Sequence, residues 1–346
     1  MFAVAKMQPA PGVDIVEVDT PKIKPGHVKV EILGGSICGT DLHIHQWDAF
    51  SQSRIHPPRI IGHEFCGEII EVGEGVDPSR IGEFISSESH IVCGTCRQCQ
   101  MGQGHVCANT RLLGIDVDGG FGGWAVMPAQ NARTTPRVVP HEVASMLDAL
   151  GNAVHTVADG PVAGQTLLIT GMGPIGLFSI AVAKAWGAEK VIVTEVRPYR
   201  KQLAEKLGAD VIIDPTQEDA DAVLSRIAPD GVDGSLEMSG HESALPLAIR
   251  HTRPGGRISL LGLYPKSVQQ IELNAMIMRG LKVNGIIGRK IWETWDQMID
   301  LLQNKNLDVS AVVTHKMDFR DVNHAMEILE RGEAGKVVLD FSSARN

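Results

Sequence analysis

The run Gly171-Met172-Gly173-Pro174-Ile175-Gly176 constrains this chain more than any other feature. It follows the apolar stretch Thr166–Thr170 and opens a segment of helical spacing that ends at Gly187. A glycine motif alone is a weak signal, but strand, turn and helix in that order match a dinucleotide-binding fingerprint. Gly171 permits the tight turn, Gly173 lets a pyrophosphate approach the backbone, and Gly176 lets helix and strand pack closely. The helix starts at Pro174 and Ile175, and its free amides, from Ile175 onward, and partial positive charge suit phosphates. Glu195 ends the next apolar run, nineteen residues after Gly176. An acidic side chain there accepts hydrogen bonds from a ribose and repels a 2′-phosphate, so NAD is the expected dinucleotide. Arg197 and Arg200 stand nearby and weigh the other way. An ordinary glycine turn in an α/β protein is the bland alternative.

Around this motif the chain alternates. Lys190–Thr194, Val211–Ile213, Val232–Glu237, Arg257–Leu261 and Leu281–Ile286 read as strands, with helical patterns at Tyr199–Leu207 and Glu218–Ile227. Such alternation predicts a doubly wound parallel sheet with helices on both faces. Residues 1 to about 150 have another texture. Short apolar runs (His27–Leu33, Cys66–Val72, Glu83–Ser87, Trp124–Pro128) are divided by Gly, Pro and Asp, as in an irregular β-rich domain. Two helical patterns, Trp292–Gln303 and Val322–Arg331, and the apolar run Lys336–Phe341 close the chain. A length of 346 residues suits two domains.

Charge and hydropathy narrow the function classes. Lys plus Arg total 32 against 41 Asp plus Glu, a net charge of −9. That lacks the basic field of a general nucleic-acid binder. Residues 167–188 are apolar for about the length of a membrane span. Their glycines, Pro174 and Lys184 suit a strand, turn and buried helix better. The N-terminal stretch lacks the basic-then-apolar pattern of a signal peptide. A soluble, cytoplasmic protein with no membrane partner is expected.

The six cysteines stand at 38, 66, 93, 96, 99 and 107. Four fall within fifteen residues, unlike the spread of a disulfide framework. Cys93, Cys96, Cys99 and Cys107 would fill all four positions of a tetrahedral zinc, which makes that metal structural. An iron–sulfur cluster or disulfides are the alternatives. Cys38 opens the segment CGTDLH, and His63 and Glu64 follow Gly62. Alone, Cys38 reads as a small buried hydrophobe and His63 as a structural histidine. Together, one thiolate, one imidazole and carboxylates could hold a zinc with an exchangeable position, able to polarise an alcohol oxygen. Cys66 lies in an alternating run and reads as a buried strand thiol.

With these motifs in one chain, the sequence resembles the zinc-dependent medium-chain dehydrogenases, above all the branch acting on L-threonine. The resemblance runs over nearly the whole chain. It rests on SICGTDLHI (36–44), GHE (62–64), ESHIVCGTC (88–96), GNAVHT (151–156), TGMGPIG (170–176), LLGLYP (260–265) and GRKIWETW (288–295). It implies a GroES-like catalytic domain over residues 1–150 and 290–346 and a Rossmann NAD-binding domain over 151–289, with the active site in the cleft. It also implies two zinc ions per chain, one catalytic and one structural, and a homotetramer. Cys38, His63 and Glu64 become catalytic zinc ligands, with one more from the segment before GNAV. That segment carries Asp148-Ala149 where relatives often have Glu-Pro. The carboxylate is kept but one methylene shorter, which leaves direct or water-bridged ligation open. FGGWAV (121–126) departs too, with Gly123 and Trp124 in place of an acidic residue and Tyr.

Thr40 and His43 follow Cys38 by two and five residues, close enough for a hydroxyl–imidazole proton path to solvent. The competing reading is a local cap and a surface histidine. The resemblance sets His90 beside the substrate pocket and adds Arg200, Leu263 and Ile287 to the cofactor contacts. The implied reaction is NAD-dependent oxidation of the L-threonine hydroxyl to 2-amino-3-oxobutanoate. Two other readings stand: the same chemistry on a secondary alcohol such as 2,3-butanediol or a polyol, and an NAD(H)-binding redox sensor without turnover. The small-molecule partner is thus an amino acid or an alcohol.

Overall fold

A computed structural model describes residues 1–266, 268–305 and 307–345. The chain divides into two compact units, Met1–Ala149 with Val313–Asn346, and Leu150–Val312. The first boundary lies within a residue of the one expected near 150. The second falls after Val312 rather than near 290. The helix Glu293–Asn304 and the turn Ser310–Val312 belong with the nucleotide-binding unit, since that turn packs on the helices Pro174–Ala185 and Pro198–Lys206.

The first unit is GroES-like and built on antiparallel pairing. Its central strand His27–Ser36 pairs on one side with Phe65–Val72 and on the other with Lys336–Asp340, near the end of the chain. Alternate residues Val28, Val30 and Ile32 point into a core shared with Phe65, Ile69, Phe121 and Phe341, as a period of two requires. Gly62 has φ +88°, and a Cβ there would lie 2.0 Å from the Phe121 ring, so only glycine fits before His63.

The second unit holds six parallel strands: Thr166–Thr170, Lys190–Thr194, Val211–Ile213, Val232–Glu237, Thr252–Leu260 and Lys282–Gly285. Numbered along the chain, their spatial order is 3-2-1-4-5-6, the order of a dinucleotide-binding sheet with its switch point between the first and fourth strands. The nearly apolar stretch is a buried strand followed by the helix Pro174–Ala185. Among the described residues no helix is long and apolar enough to cross a membrane.

Candidate active site and metal centres

Strand pairing brings the first cluster together. Gly35 lies opposite Phe65, and the Ser36 amide donates to the Glu64 carbonyl at 2.9 Å. Cys38, two residues past the strand end, therefore meets His63 and Glu64, the two residues before the neighbouring strand. One donor atom from each of Cys38, His63 and Glu64 lies within 4.8 Å of the others. Cys38 also caps the helix Gly39–Gln46, with its amide donating to Asp41 Oδ2 at 2.9 Å.

The electrostatics of this cluster call for a cation. Burial works against an imidazolium at His63, yet Cys38, Asp41 and Glu64 carry its pKa up to about 10. His63 Nδ1 and Asp41 Oδ1 face each other at 3.9 Å, both buried and neither hydrogen-bonded. Burial pushes the Glu64 carboxyl up, but Lys336 and the Ser36 hydroxyl hold it below its ordinary value. Lys336 itself is buried and ion-paired with Glu64 Oε2, and it donates to the Ile37 carbonyl at 3.0 Å. Thiolate, imidazole and carboxylate around one point, with buried donor atoms unpaired, fit a zinc site. Glu64 Oε2 is occupied by Lys336 and Ser36.

The second cluster is the lobe of Cys93, Cys96, Cys99 and Cys107, whose sulfurs also lie within 4.8 Å of one another. Cys107 Sγ is 3.5 Å from Cys93 Sγ and 3.8 Å from Cys96 Sγ. All six cysteines are free thiols in this structure. A tetrahedron with Zn–S bonds of 2.3 Å has edges of about 3.8 Å, so the spacing suits one ion. Amides turn toward sulfur: Cys96 N–H donates to Cys93 Sγ at 3.3 Å and Asn109 N–H to Cys107 Sγ at 3.4 Å. Bonds from Thr95, Asn109 and Cys96 lower the Cys93 pKa to about 5, whereas burial and the thiols of Cys96 and Cys107 raise Cys99 to about 12.

The glycine turn lies at the switch point of the parallel sheet. Gly171 has φ +84°, and a Cβ there would lie 2.6 Å from Ser239 Cβ. A Cβ on Gly176 would strike the Gly171 carbonyl at 2.0 Å, while one on Gly173 would meet nothing within 4 Å. That open side is where a pyrophosphate would approach. The helix Pro174–Ala185 has no side-chain cap, so its first amides remain for a ligand.

Two family models match the chain: the alcohol dehydrogenase GroES-like domain over residues 24–137 and the zinc-binding dehydrogenase domain over 174–304. A protein of Pyrococcus abyssi named L-threonine 3-dehydrogenase is 48% identical over 98% of each chain. The chain belongs to the zinc-dependent medium-chain dehydrogenases. Among solved structures, a short chain alcohol dehydrogenase from E. coli CFT073 complexed with the cofactor NADH matches with a TM-score of 0.91 at 29% identity, covering 99% of each chain. The 2R,3R-butanediol dehydrogenase from Bacillus subtilis matches at 0.89 and 26%, covering 98% of this chain and 99% of that one.

In this dehydrogenase the remaining expected residues are placed as follows. Thr40 Oγ1 is 3.8 Å from Cys38 Sγ, and His43 lies one helical turn further on. Asp148 is outside the Cys38–His63–Glu64 group; its Oδ1 accepts the Ser89 amide at 3.1 Å. His90 Nδ1 is 3.1 Å from Glu88 Oε1. Glu195 ends its strand as expected, but its carboxylate accepts the amides of Met172 at 2.9 Å and of Val196 and Arg197 at 2.8 Å. It braces the glycine turn. Arg200 is half-buried, and Leu263 and Ile287 are exposed.

Four side chains escaped the sequence reading. Asp41 and Lys336 lie against the Cys38–His63–Glu64 group, and Asp48 accepts from His43 Nδ1 at 2.7 Å. Glu237 is wholly buried at its strand end, and its Oε1 accepts the Ser239 amide at 2.7 Å and the Gly240 amide at 3.0 Å. Only Glu237 carried a signal, since it ends a strand as Glu195 does.

Proposed function

We propose that this enzyme oxidises the β-hydroxyl of L-threonine to 2-amino-3-oxobutanoate, with NAD as hydride acceptor. The reading is carried by the 48% identity, over 98% of both chains, to a protein named L-threonine 3-dehydrogenase. Cys38 and His63, with Glu64 or a carboxylate such as Asp148, would hold a catalytic zinc, and the four-cysteine lobe would hold a structural one. When bound, the zinc supplies Lewis-acid polarisation of the substrate hydroxyl and the nicotinamide accepts the hydride.

The chain's residues do the rest. Asp41 orients His63 from behind, as a carboxylate beside a metal-binding histidine does. Thr40 takes the hydroxyl proton and passes it along the helix to His43, which is half-exposed and releases it to water. His90, held by Glu88, borders the substrate. The glycine turn receives the pyrophosphate, and Glu195 favours NAD over its 2′-phosphorylated form. Arg200, Leu263 and Ile287 complete the cofactor contacts.

The strand Lys282–Gly285 is an exposed sheet edge, which supports pairing of subunits into a homotetramer. No transmembrane helix is found among the described residues, in keeping with a cytoplasmic enzyme. The likeness to 2R,3R-butanediol dehydrogenase makes that diol the competing substrate. NADH formation is measured with L-threonine, L-serine, 2,3-butanediol and sorbitol in the zinc-loaded enzyme, with NAD and NADP. Turnover of the diol without turnover of threonine would overturn the substrate assignment. Binding of NADH without any turnover would instead favour the sensor.

A further inference from the structure

His43 does not stand alone at the end of its helix. Its Nδ1 lies 2.7 Å from Asp48 Oδ2, and its ring packs near Phe50 with centroids 6.0 Å apart. Since a carboxylate only accepts, Nδ1 carries the hydrogen and Nε2 keeps its lone pair. The other carboxylate oxygen is engaged separately. Asp48 Oδ1 accepts the Ser51 amide at 3.1 Å and caps the helix Ala49–Arg54.

The chain folds back to make this contact through Trp47. It is the one non-glycine residue of positive φ among those described, at +56°, and its amide closes the helix on the carbonyls of His43 and Ile44. The Lys6 ammonium sits 5.1 Å from the Trp47 ring centre, and Lys6 is itself buried and bound to the Gly12 carbonyl at 2.6 Å. A left-handed tryptophan persists only where its surroundings fix it. The reversal that carries Asp48 to His43 is such a place.

We propose that Asp48 is a positioning residue for proton release: it fixes the His43 tautomer so that Nε2 faces the incoming proton, and its charge stabilises the imidazolium that results. The proposal rests on the reading of Thr40 and His43 as the proton path. The substrate hydroxyl gives its proton to Thr40 Oγ1, which passes its own to His43 Nε2. His43 then loses that proton to water, and Asp48 is unchanged throughout.

Charged groups on the neighbouring elements are engaged elsewhere. Arg54 of the helix Ala49–Arg54 pairs with Asp116 at 2.8 Å. On the helix Val322–Glu330, Glu330 meets His45 at 3.3 Å and His324 meets Glu327 at 3.6 Å. Asp41, on the same helix as His43, is buried toward His63. Lys6 acts on Trp47. Asp48 is thus the charge in direct contact with His43. Burial pushes its carboxyl up, but the amides of Ser51 and Phe50 and the His43 ring together hold it below its ordinary value.

The experiment compares pH profiles of kcat and KM for the holoenzyme and its D48N, D48A and H43Q variants. Oxidation needs a His43 able to take the proton, so kcat rises with pH where this path limits turnover. Asn caps a helix as well as Asp, so D48N removes the charge and keeps the fold. It should lower the plateau several-fold, move the rising limb to lower pH and leave KM unchanged. Raising the salt concentration should shrink the shift. A D48N profile that overlays the parent, with the limb lost in H43Q, overturns the role of Asp48 while sparing the proton path. A drop in D48A alone would leave Asp48 a helix cap and overturn the proposal equally. If H43Q keeps both rate and limb, the proton path fails and the proposal with it.

Discussion

The two cysteine-bearing clusters differ in how they are assembled. The lobe takes all four sulfurs from residues 93–107 and turns neighbouring amides toward them. The cluster of Cys38, His63 and Glu64 depends on two strand pairings, one of which brings in Lys336 from near the end of the chain. In the lobe, four thiolates would repel one another, and N–H···S bonds and a bound ion would relieve them. In the other cluster, the protein supplies its own compensating charge in Lys336. A closed sulfur site serves a structural ion. A mixed, partly compensated site leaves donors free for exchange.

Four single substitutions and one double variant test that difference, from the largest effect to the smallest. In Cys96→Ser the lobe should lose its ion, and structural zinc sites contribute on the order of 10 kcal/mol in small domains. Limited proteolysis should then cut between residues 92 and 110, with NAD binding retained; a protease-resistant lobe would show that the ion is dispensable. Cys38→Ser should lower kcat by about 10³-fold or more, the several kcal/mol a Lewis acid supplies. The lobe metal and NADH affinity should be unchanged by metal analysis and fluorescence titration.

Lys336→Met strands the buried Glu64 carboxylate and should destabilise the protein by about 3–5 kcal/mol in chemical denaturation. Adding Glu64→Gln should recover most of that loss. Equal stability of single and double variants would mean that the pair is not coupled. Asn109→Ala removes only the Nδ2–H···S contact at 3.6 Å to Cys93 and should weaken lobe zinc binding by about 0.5–1.5 kcal/mol, read by chelator competition.

Legibility in the sequence followed locality. The strands Lys190–Thr194, Val211–Ile213 and Val232–Glu237 stand where their apolar runs end. The strand Thr252–Leu260 begins five residues before its apolar run, because Pro254 and Gly255 mask it. The helix Gly39–Gln46 is short and carries only Leu42 and Ile44 as large apolar residues, so periodicity could not reveal it. The second division of the chain falls after Val312 for a related reason. The helix Glu293–Asn304 is amphipathic, and periodicity does not say which core receives Trp295, Met298 and Leu301.

By itself, the sequence determined the dinucleotide turn, because Gly171, Gly173 and Gly176 answer to backbone geometry within six residues. It likewise determined the four-sulfur lobe, whose close spacing brings the sulfurs within 4.8 Å of one another. Only the tertiary structure decided the partners of Glu64, Glu195 and His43. Each carboxylate has two oxygens and many possible donors, and strand register chose Lys336 and Ser36 for Glu64. The turn at Trp47 chose Asp48 for His43. Residue type sets what a side chain can bind; the distance of closest approach across the fold sets what it does bind.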